Sequence, residues 1–185
     1  QAPANEHLTM QIAKQVYKLK VPPNAIVFFK DGSPAYLVRR FDQSKTGKLQ
    51  QEDFAQIAEM TSETHGDNYK YDLSYEEIAE LIKKYIPTHR IEVEKFFRMV
   101  LFNYVFSNGD AHLKNFSAIQ TSHGDYVLTP VYDLLCTRIH SPNESDMALS
   151  LFKEGFSKAY EAHGFYTYQD FFEFGKLIGI KDSRV

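Results

Sequence analysis

The sequence has few of the features that mark secreted and membrane proteins. It contains one cysteine, Cys136, in 185 residues, which excludes an internal disulfide framework and is typical of a reducing compartment. No apolar run approaches the roughly 20 residues that a membrane-spanning helix requires, and no signal peptide is visible. Internal repeats and low-complexity tracts are also absent. We therefore expect a domain of the cell interior in which Cys136 is a buried structural thiol rather than a redox centre.

An excess of charge of either sign is also missing. The formal net charge is −3, which argues against wide contact with nucleic acid. Two local basic clusters, in residues 14–20 and 83–84, are interpreted as solvated helix faces. Hydrophobic residues make up 43% of the chain and aromatic residues 15%. That is enough for one substantial core, or for a small lobe beside a larger one.

The most informative feature is a set of three oxygen-bearing side chains near the middle of the chain. Asp110 is followed five positions later by Asn115, and Asp133 comes eighteen positions after that. Phosphoryl transfer needs a carboxylate that orients a hydroxyl nucleophile, and hard oxygen ligands for Mg²⁺. Protein kinases use the spacing D-x-x-x-x-N, with a metal-binding Asp on a later turn. The three residues therefore predict phosphoryl transfer from ATP, with Asp110 as the orienting base and with Asn115 and Asp133 as metal ligands.

The segments around these residues predict that the three side chains converge. Residues 116–120 and 126–128 are interpreted as two short strands, and residues 121–125 have turn chemistry. A hairpin of this kind returns Asp133 to the side of Asn115. Upstream, residues 91–106 repeat apolar side chains at helical spacing. We expect a buried helix there to hold the loop that follows it.

The same stretch carries a longer motif. Its residues are Asn108, Asp110, His112, Lys114, Asn115, Phe116 and Ser117, then Pro130, Tyr132 and Asp133. This pattern resembles N-x-D-x-H-x-K-N-[FS]-S, a hairpin and P-x-Y-D, the signature of the HipA family of bacterial serine/threonine kinases. These are the toxins of HipA–HipB toxin–antitoxin modules. Residues 108–110 are also similar to the His-Gly-Asp of aminoglycoside phosphotransferases.

The resemblance implies an α+β, protein-kinase-like fold. Residues 1–42 would form a partial N-lobe, a helix and a β-hairpin, ending in the hinge. Residues 43–185 would form a mainly helical C-lobe that carries the catalytic β-hairpin. The resemblance also implies ATP and Mg²⁺ as cofactors and the bacterial cytoplasm as the compartment, although secretion stays open.

Two elements are predicted in the first part of the chain. Asn5 is expected to cap a helix that begins at Glu6. The apolar stripe of this helix would consist of Leu8, Ile12, Val16 and Leu19. Residues 25–29 and 35–38 flank an Asp-Gly turn, which predicts a hairpin.

The resemblance assigns roles to residues of this part. The helix corresponds to the kinase C-helix, and Glu6 to its ATP-site glutamate. Arg40, Phe41 and Asp42 fall in the hinge, where backbone groups would meet adenine and Asp42 would reach the ribose.

The second part is predicted to be rich in helices. A capping box formed by Ser74 and Glu77 favours a helix start at Tyr75. The expected segments are a polar linker over 43–49, helices over 51–60 and 75–86, a loop over 61–73, and an aromatic-rich helix over 168–178.

Several roles stay open at the level of sequence, although Asp110, His112 and Lys114 are the candidate catalytic residues. Asp110 can also be a loop-capping aspartate, because Asn-Gly-Asp is common turn chemistry. His112 is either a general base or metal ligand, or a side chain that stacks in the lobe and hydrogen-bonds the loop backbone. Lys114 either touches the transferring phosphate or braces the loop. Tyr132 is expected to pack rather than to react.

Two parts of a kinase ATP site have no counterpart in the sequence. It contains no Gly-rich phosphate loop, and Lys14, Lys18 and Lys20 lie on or after the first predicted helix, where none can replace the strand lysine that pairs with Glu6. We expect the chain to be part of a longer protein: a proteolysed species, an engineered piece, the ordered part of a longer chain or a split-gene product. Activity of this part alone is expected to be poor.

Three functions compete at this stage. The first is a HipA-like serine/threonine kinase, whose substrate would be a protein hydroxyl, in well-known family members that of an aminoacyl-tRNA synthetase. The second is an inactive or split kinase lobe that docks a HipB-like antitoxin or another subunit, with DNA reached only through the antitoxin. The third is a metal-dependent phosphohydrolase with Asp110, His112 and Asp133 as ligands, which leaves the position of Asn115 unexplained. No membrane contact is expected.

Overall fold

The computed structural model describes residues 2–45 and 47–185, and its first part is one helix packed on a hairpin. Helix α1 spans Ala2–Gln15. Strands β1 (Asn24–Phe28) and β2 (Pro34–Val38) pair antiparallel from Asn24 opposite Val38 to Phe28 opposite Pro34. The predicted hairpin is confirmed.

Helix α1 differs from the prediction in its start and in its buried face. It begins at Ala2, so Asn5 lies inside the first turns and is not a cap. Its buried residues are Thr9, Met10 and Ala13, whereas Leu8 and Val16 are 60% and 66% exposed. The predicted stripe was therefore partly wrong. Leu19 is buried and Ile12 is half-buried against the core, and Gln11 on the same helix makes a polar contact, from its Nε2 to Asn24 Oδ1 at 2.9 Å.

A three-stranded antiparallel sheet joins segments that are far apart along the chain. After a small hairpin of β3 (Gln43–Ser44) and β4 (Gly47–Lys48), strand β5 (Gln51–Asp53) pairs with β6 (Ser117–Gln120). Strand β7 (Tyr126–Leu128) completes the order β5-β6-β7. The catalytic-loop hairpin predicted from sequence is therefore present, and the predicted linker over 43–49 contains a hairpin of its own.

The predicted helix over 51–60 was partly wrong. Its first three residues form β5, and only Phe54–Ile57 forms helix α2. Asp53 explains the change, because its side chain accepts from Gln56 N and so caps the helix after the strand. The pairing partner of β5 lies over sixty residues downstream, and local sequence does not show it.

The remaining helices form most of the second part. Their ranges are α3 Ser62–His65, α4 Tyr75–Tyr85, α5 His89–Val105, α6 Lys158–His163 and α7 Tyr168–Leu177. The capping box of Ser74 and Glu77 at the start of α4 is confirmed. The segment over 61–73, predicted as loop, contains α3 and a 3₁₀ turn at Tyr69–Tyr71. In the described ranges, no helix is both long and apolar enough to cross a membrane.

An aromatic cluster fixes the site against helix α5. The rings of Phe96 and Phe116 meet edge to face with centroids 5.2 Å apart, and Tyr75 contacts both. All three side chains are fully buried. Such rings dominate core energetics, and their truncation typically costs 3–5 kcal/mol. Phe116 directly precedes β6, so the core holds the end of the loop that carries the candidate site.

Candidate active site

The loop between α5 and β6 is anchored by a buried asparagine. Asn108 Nδ2 donates to Asn103 Oδ1 at 2.8 Å and to the carbonyl of Asp133 at 3.3 Å. The backbone N–H of Asn108 also donates to the Asn103 carbonyl at 2.9 Å. One side chain thus ties the end of a rigid helix to the loop and to the later segment, which sets the distance between the two halves of the site.

Only glycine fits at position 109. A β-carbon there would lie 2.2 Å from the Ser145 carbonyl oxygen and 2.8 Å from the Glu144 side chain. The Gly109 N–H donates to Thr137 Oγ1 at 2.9 Å. The residue before Asp110 is therefore pressed against the 137–145 segment, and this contact fixes the position of Asp110.

Asn115 and Asp133 lie in direct contact. Asn115 Nδ2 donates to Asp133 Oδ2 at 2.5 Å, and Asn115 Oδ1 accepts from His112 N–H at 3.0 Å. Because the His112 N–H can only donate, it fixes which end of the amide faces Asp133. Asp133 adopts a left-handed backbone with φ of +58°, a conformation that is uncommon outside glycine and that Asp and Asn tolerate best.

Burial and a neighbouring negative charge both act on Asp133. Burial raises the pKa of Asp133, the hydrogen bond from Asn115 opposes this, and the negative charge of Asp110 raises the pKa further. The charges of Asp110 and Asp133 therefore repel each other across the site. Two carboxylates held close together are stabilised by a positive ion between or beside them.

Asp110 lies at the mouth of the site and contacts a residue that the sequence did not point to. Its side chain is 47% exposed, and its Oδ1 accepts from the Tyr71 hydroxyl at 2.6 Å. This bond and burial raise the pKa of Tyr71 to about 12, with burial the larger cause. The neighbouring Lys70 acts on the same field, because its charge lowers the pKa of His112 and of Asp133. Tyr71 and Lys70 lie in a 3₁₀ turn inside the predicted loop over 61–73.

His112 is a buried neutral side chain that braces the loop. Burial lowers its pKa, and the charge of Lys70 lowers it further. Its ring meets Tyr71 edge to face with centroids 5.3 Å apart, and its Nε2 lies 3.9 Å from Asp110 Oδ1. Its Nδ1 is buried and has no hydrogen-bond partner among the described residues. The contacts of the His112 ring are therefore those of a stacking residue. Its backbone N–H, not its ring, contacts Asn115.

Lys114 and Tyr132 belong to the same wall of the site. The Lys114 side chain is exposed, and its backbone carbonyl accepts from the Tyr132 hydroxyl at 2.8 Å. Tyr132 also bonds Ser117 Oγ at 2.5 Å and stacks on Phe41 with centroids 5.7 Å apart. Tyr132 therefore packs, as expected, and joins the hinge segment to the catalytic loop.

The hinge residues are already engaged with one another. Arg40 Nε donates to Asp42 Oδ1 at 2.9 Å, and Arg40 Nη2 donates to Asp42 Oδ2 at 2.5 Å. This bidentate pair holds the pKa of Asp42 below its usual range. Both carboxylate oxygens of Asp42 face Arg40, so contact with a ribose requires one of them to be shared or released.

Helix α1 brings Glu6 into the field of the site. Burial raises the pKa of Glu6 to about 7, and the negative charge of Asp133 adds to the shift. The Tyr36 hydroxyl is buried without a hydrogen-bond partner among the described residues, and its pKa is raised by burial and then by Glu6 and Asp133. A half-buried carboxylate beside an unpartnered hydroxyl is a site that a cationic group would stabilise.

Asn5 couples helix α1 to the segment after Asp133. Its Nδ2 donates to the Cys136 carbonyl at 2.9 Å, and its Oδ1 accepts from the Cys136 N–H at 3.1 Å. The two bonds hold both backbone polar groups of one residue that lies 131 positions away in sequence. Cys136 is partly exposed, not fully buried as expected.

The donor set fits magnesium with few protein ligands. Among the described residues, no cluster of three or more His, Cys, Asp or Glu side chains could hold a metal ion. Asn115 and Asp133 instead offer amide and carboxylate oxygens next to the charge of Asp110. Magnesium prefers oxygen ligands and is commonly held by one or two carboxylates together with substrate phosphates and water. The two residues are suited to that mode.

Comparison with known proteins gives the family. Residues 1–184 match the model of the HipA-like C-terminal domain. The chain belongs to the HipA-like C-terminal domain family. It is 32% identical to a Haemophilus influenzae protein named "Putative kinase", over 98% of this chain and 57% of that protein. It is also 32% identical to "Putative kinase Y4dM" of Sinorhizobium fredii, over 80% of this chain and 37% of that protein.

Solved structures agree on the fold of this HipA-like chain. A HipA of Shewanella oneidensis, solved with HipB and operator DNA, superposes with a TM-score of 0.78 at 22% identity, over 98% of this chain and 44% of that one. The Helicobacter pylori proinflammatory kinase CtkA superposes with a TM-score of 0.63 at 14% identity, over 96% of this chain and 70% of that one. The α+β, kinase-like fold is confirmed. The HipA-like chain spans little more than half the length of the Haemophilus relative.

Proposed function

We propose that the protein is an ATP- and Mg²⁺-dependent serine/threonine protein kinase of the HipA-like type. The observation that carries the proposal is the contact of Asn115 with Asp133 at 2.5 Å, in the same electrostatic field as Asp110 at the mouth of the site. The spacing of these residues and the kinase-like fold support it further. The N-lobe and hinge are proposed as residues 1–42, and the C-lobe as residues 43–185.

Each residue has one task in the proposed reaction. ATP with Mg²⁺ supplies the phosphoryl group and neutralises charge as that group moves. Asn115 and Asp133 hold the metal. Asp110 orients the substrate hydroxyl and accepts its proton on a carboxylate oxygen. The His112 N–H contacts Asn115 Oδ1, and the second lone pair of that oxygen would serve the metal.

The surrounding residues bind and orient the nucleotide. Residues 39–42 form the hinge, where Phe41 is supported by Tyr132 and Asp42 is available to the ribose when it leaves Arg40. Glu6 is close enough for the charge of Asp133 to raise its pKa, and a cationic group beside it would complete the ATP site. Lys114 is exposed on the rim and serves a phosphate or the substrate.

The phosphohydrolase alternative has less support. It requires Asp110, His112 and Asp133 as a set of metal ligands, and no such cluster occurs in residues 2–45 and 47–185. The ring of His112 also packs edge to face on Tyr71, with centroids 5.3 Å apart.

We propose a protein hydroxyl as the acceptor, an aminoacyl-tRNA synthetase among the candidates, with growth regulation as the result. A HipB-like antitoxin is the proposed partner, because the Shewanella HipA was solved with HipB and operator DNA. DNA would be reached through that partner. An inactive lobe that serves only to dock such a partner is the second candidate, and the next experiment separates the two.

The test uses the full-length protein with matched charge-removing variants. Asp110→Asn is expected to keep stabilisation by ATP with Mg²⁺ and to lose phosphoryl transfer to protein by at least a hundredfold. Asp133→Asn is expected to lose both. Thermal unfolding and transfer of radiolabelled phosphate are measured in parallel. Wild-type protein that ATP and Mg²⁺ fail to stabilise, and that transfers nothing, would favour the docking lobe.

A further inference from the structure

A basic cavity lies outside the proposed active site. It has a volume of about 400 Å³. Its lining comes from the segment after α1, from α5, and from β7 with the residues that follow it. Four of its lining residues are cations: Lys18, Lys20, Lys95 and Arg98. No lining residue is acidic. The sequence suggested a solvated helix face for residues 14–20, but α1 ends at Gln15, so Lys18 and Lys20 lie beyond it, on the cavity wall.

The positive charges are held in place by backbone and by one buried acid. Lys18 Nζ donates to the Gln15 carbonyl at 2.7 Å, and the Arg98 guanidinium donates to the Tyr17 carbonyl. Lys95 Nζ pairs with the buried Glu92 at 2.6 Å. Among the described residues, Lys95 is the one cavity cation that pairs with a carboxylate. The carbonyl contacts of Lys18 and Arg98 do not cancel their charges. A bound anion would neutralise the excess positive charge of the cavity.

The backbone of this wall is strained. Lys18 has φ of +56°, a left-handed conformation that costs a non-glycine residue about 1–2 kcal/mol. The turn is kept by a hydrogen bond from Leu19 N–H to the Ala13 carbonyl at 2.9 Å. A left-handed residue with such a bond is a common way to end a helix. This turn therefore ends α1 and sets the direction in which Lys18 and Lys20 continue along the cavity wall.

The cavity wall leads directly into the proposed site. The Val131 N–H donates to the Lys20 carbonyl at 2.8 Å, and the Thr129 N–H donates to the Ser117 carbonyl at 3.0 Å. Val131 lies two residues before Asp133. A ligand on this wall therefore lies next to the segment that leads from β7 to Asp133.

From these observations we propose that the cavity binds a small anion with two or more phosphoryl groups. The site is separate from the metal-binding pair of Asn115 and Asp133 and does not depend on kinase activity. Its ligands are the Lys18, Lys20, Lys95 and Arg98 cations.

The probe is inorganic diphosphate, titrated into the full-length protein by calorimetry with EDTA present, so that magnesium cannot support binding at the nucleotide site. One site is expected. The double variant Lys18→Gln with Lys20→Gln should weaken binding roughly tenfold, because two charge-assisted contacts are lost at a partly exposed site. The matched control, Lys83→Gln with Lys84→Gln, removes the same charge from exposed residues of α4 and should leave binding within about twofold.

A third variant tests the geometry rather than the charge. Arg98→Lys keeps the positive charge and removes the planar set of guanidinium donors, and it should weaken diphosphate binding about threefold. Equal weakening by both lysine pairs would show diffuse counter-ion binding and overturn the proposal. Absence of binding to the wild-type protein at millimolar diphosphate would also overturn it. Failure of the kinase tests leaves this result unchanged, since Asp133→Asn should still bind diphosphate.

Discussion

Replacing Asp133 by asparagine should make the metal-free protein more stable and remove its response to nucleotide. The change keeps the size of the side chain and the left-handed backbone at φ +58°, which asparagine tolerates well. An acceptor also remains for Asn115 Nδ2, which now bonds Asp133 Oδ2 at 2.5 Å. What disappears is one half-buried negative charge that faces Asp110 and Glu6.

The size of the gain follows from those contacts. Burial and the charge of Asp110 raise the pKa of Asp133, so its ionised form destabilises the fold near neutral pH. Loss of the charge also removes its repulsion of the Glu6 carboxylate. The hydrogen bond from Asn115 already offsets part of the cost of burying the Asp133 charge, so the net gain in the free energy of unfolding is expected to be about 1 kcal/mol. For a protein of this size, that corresponds to a rise of about 2–4 °C in the unfolding temperature.

The assay is thermal unfolding of the full-length wild type and variant, with EDTA and then with ATP and Mg²⁺. The wild type should gain about 2.7 kcal/mol when the ligand is present at one hundred times its Kd, and the variant should gain little. The order of the two proteins therefore reverses when ligand is added. Asp133→Ala is the control for shape, since it loses the bond to Asn115 and places alanine in a left-handed turn; it should be less stable in both buffers. A variant Asp133→Asn that is destabilised with EDTA, or that keeps the full ligand response, would refute this reasoning.

Three further predictions concern residues around the site. In urea unfolding with EDTA, the wild type should lose about 1 kcal/mol of stability relative to Glu6→Gln between pH 5 and pH 8. The folded protein raises the pKa of Glu6 to about 7, so the stability from its protonated form is present below the pKa of the unfolded chain and is lost as pH rises through 7; solvent screening reduces its size. Parallel pH profiles of the two proteins would contradict this. Tyr71→Phe should lower stability by about 1 kcal/mol, because the hydrogen bond from the Tyr71 hydroxyl to Asp110 Oδ1 is lost. The same change should lower the KM for a protein substrate severalfold in steady-state kinetics, because Asp110 Oδ1 becomes free to accept from the substrate hydroxyl. An unchanged KM would show that the Tyr71 hydroxyl does not compete with the substrate for Asp110. Gly109→Ala should lose about 1–3 kcal/mol in urea unfolding, because its β-carbon would meet the Ser145 carbonyl at 2.2 Å; wild-type stability would show that the loop yields freely.

The parts of the site that sequence predicted well are those with local signals. The spacing from Asp110 to Asn115 and the turn chemistry of residues 121–125 are sufficient to predict a loop followed by a hairpin. The contact of Asn115 with Asp133 follows from that hairpin. Helix α5 was predicted from the spacing of its apolar residues, although it begins at His89 rather than at residue 91.

The parts that sequence missed depend on contacts between distant segments. Tyr71 and Lys70 lie in a polar stretch without periodicity, and only packing of their 3₁₀ turn brings them to Asp110. The clamp of Asn5 on Cys136 joins residues 131 positions apart, so Asn5 was interpreted as a helix cap. The local sequence around Tyr71 shows two tyrosines separated by a lysine. That pattern is as typical of a segment that packs on the core as of one that contacts an active site.

The most direct test of the central claim is where a metal binds when nucleotide is present. Crystals of the full-length protein with a non-hydrolysable ATP analogue and Mn²⁺ in place of Mg²⁺ would show the ion by its anomalous scattering. The account predicts a peak about 2.1–2.3 Å from an oxygen of Asn115 and from an oxygen of Asp133, with Asp110 facing the terminal phosphate. An ion bound with neither side chain as a ligand would contradict it.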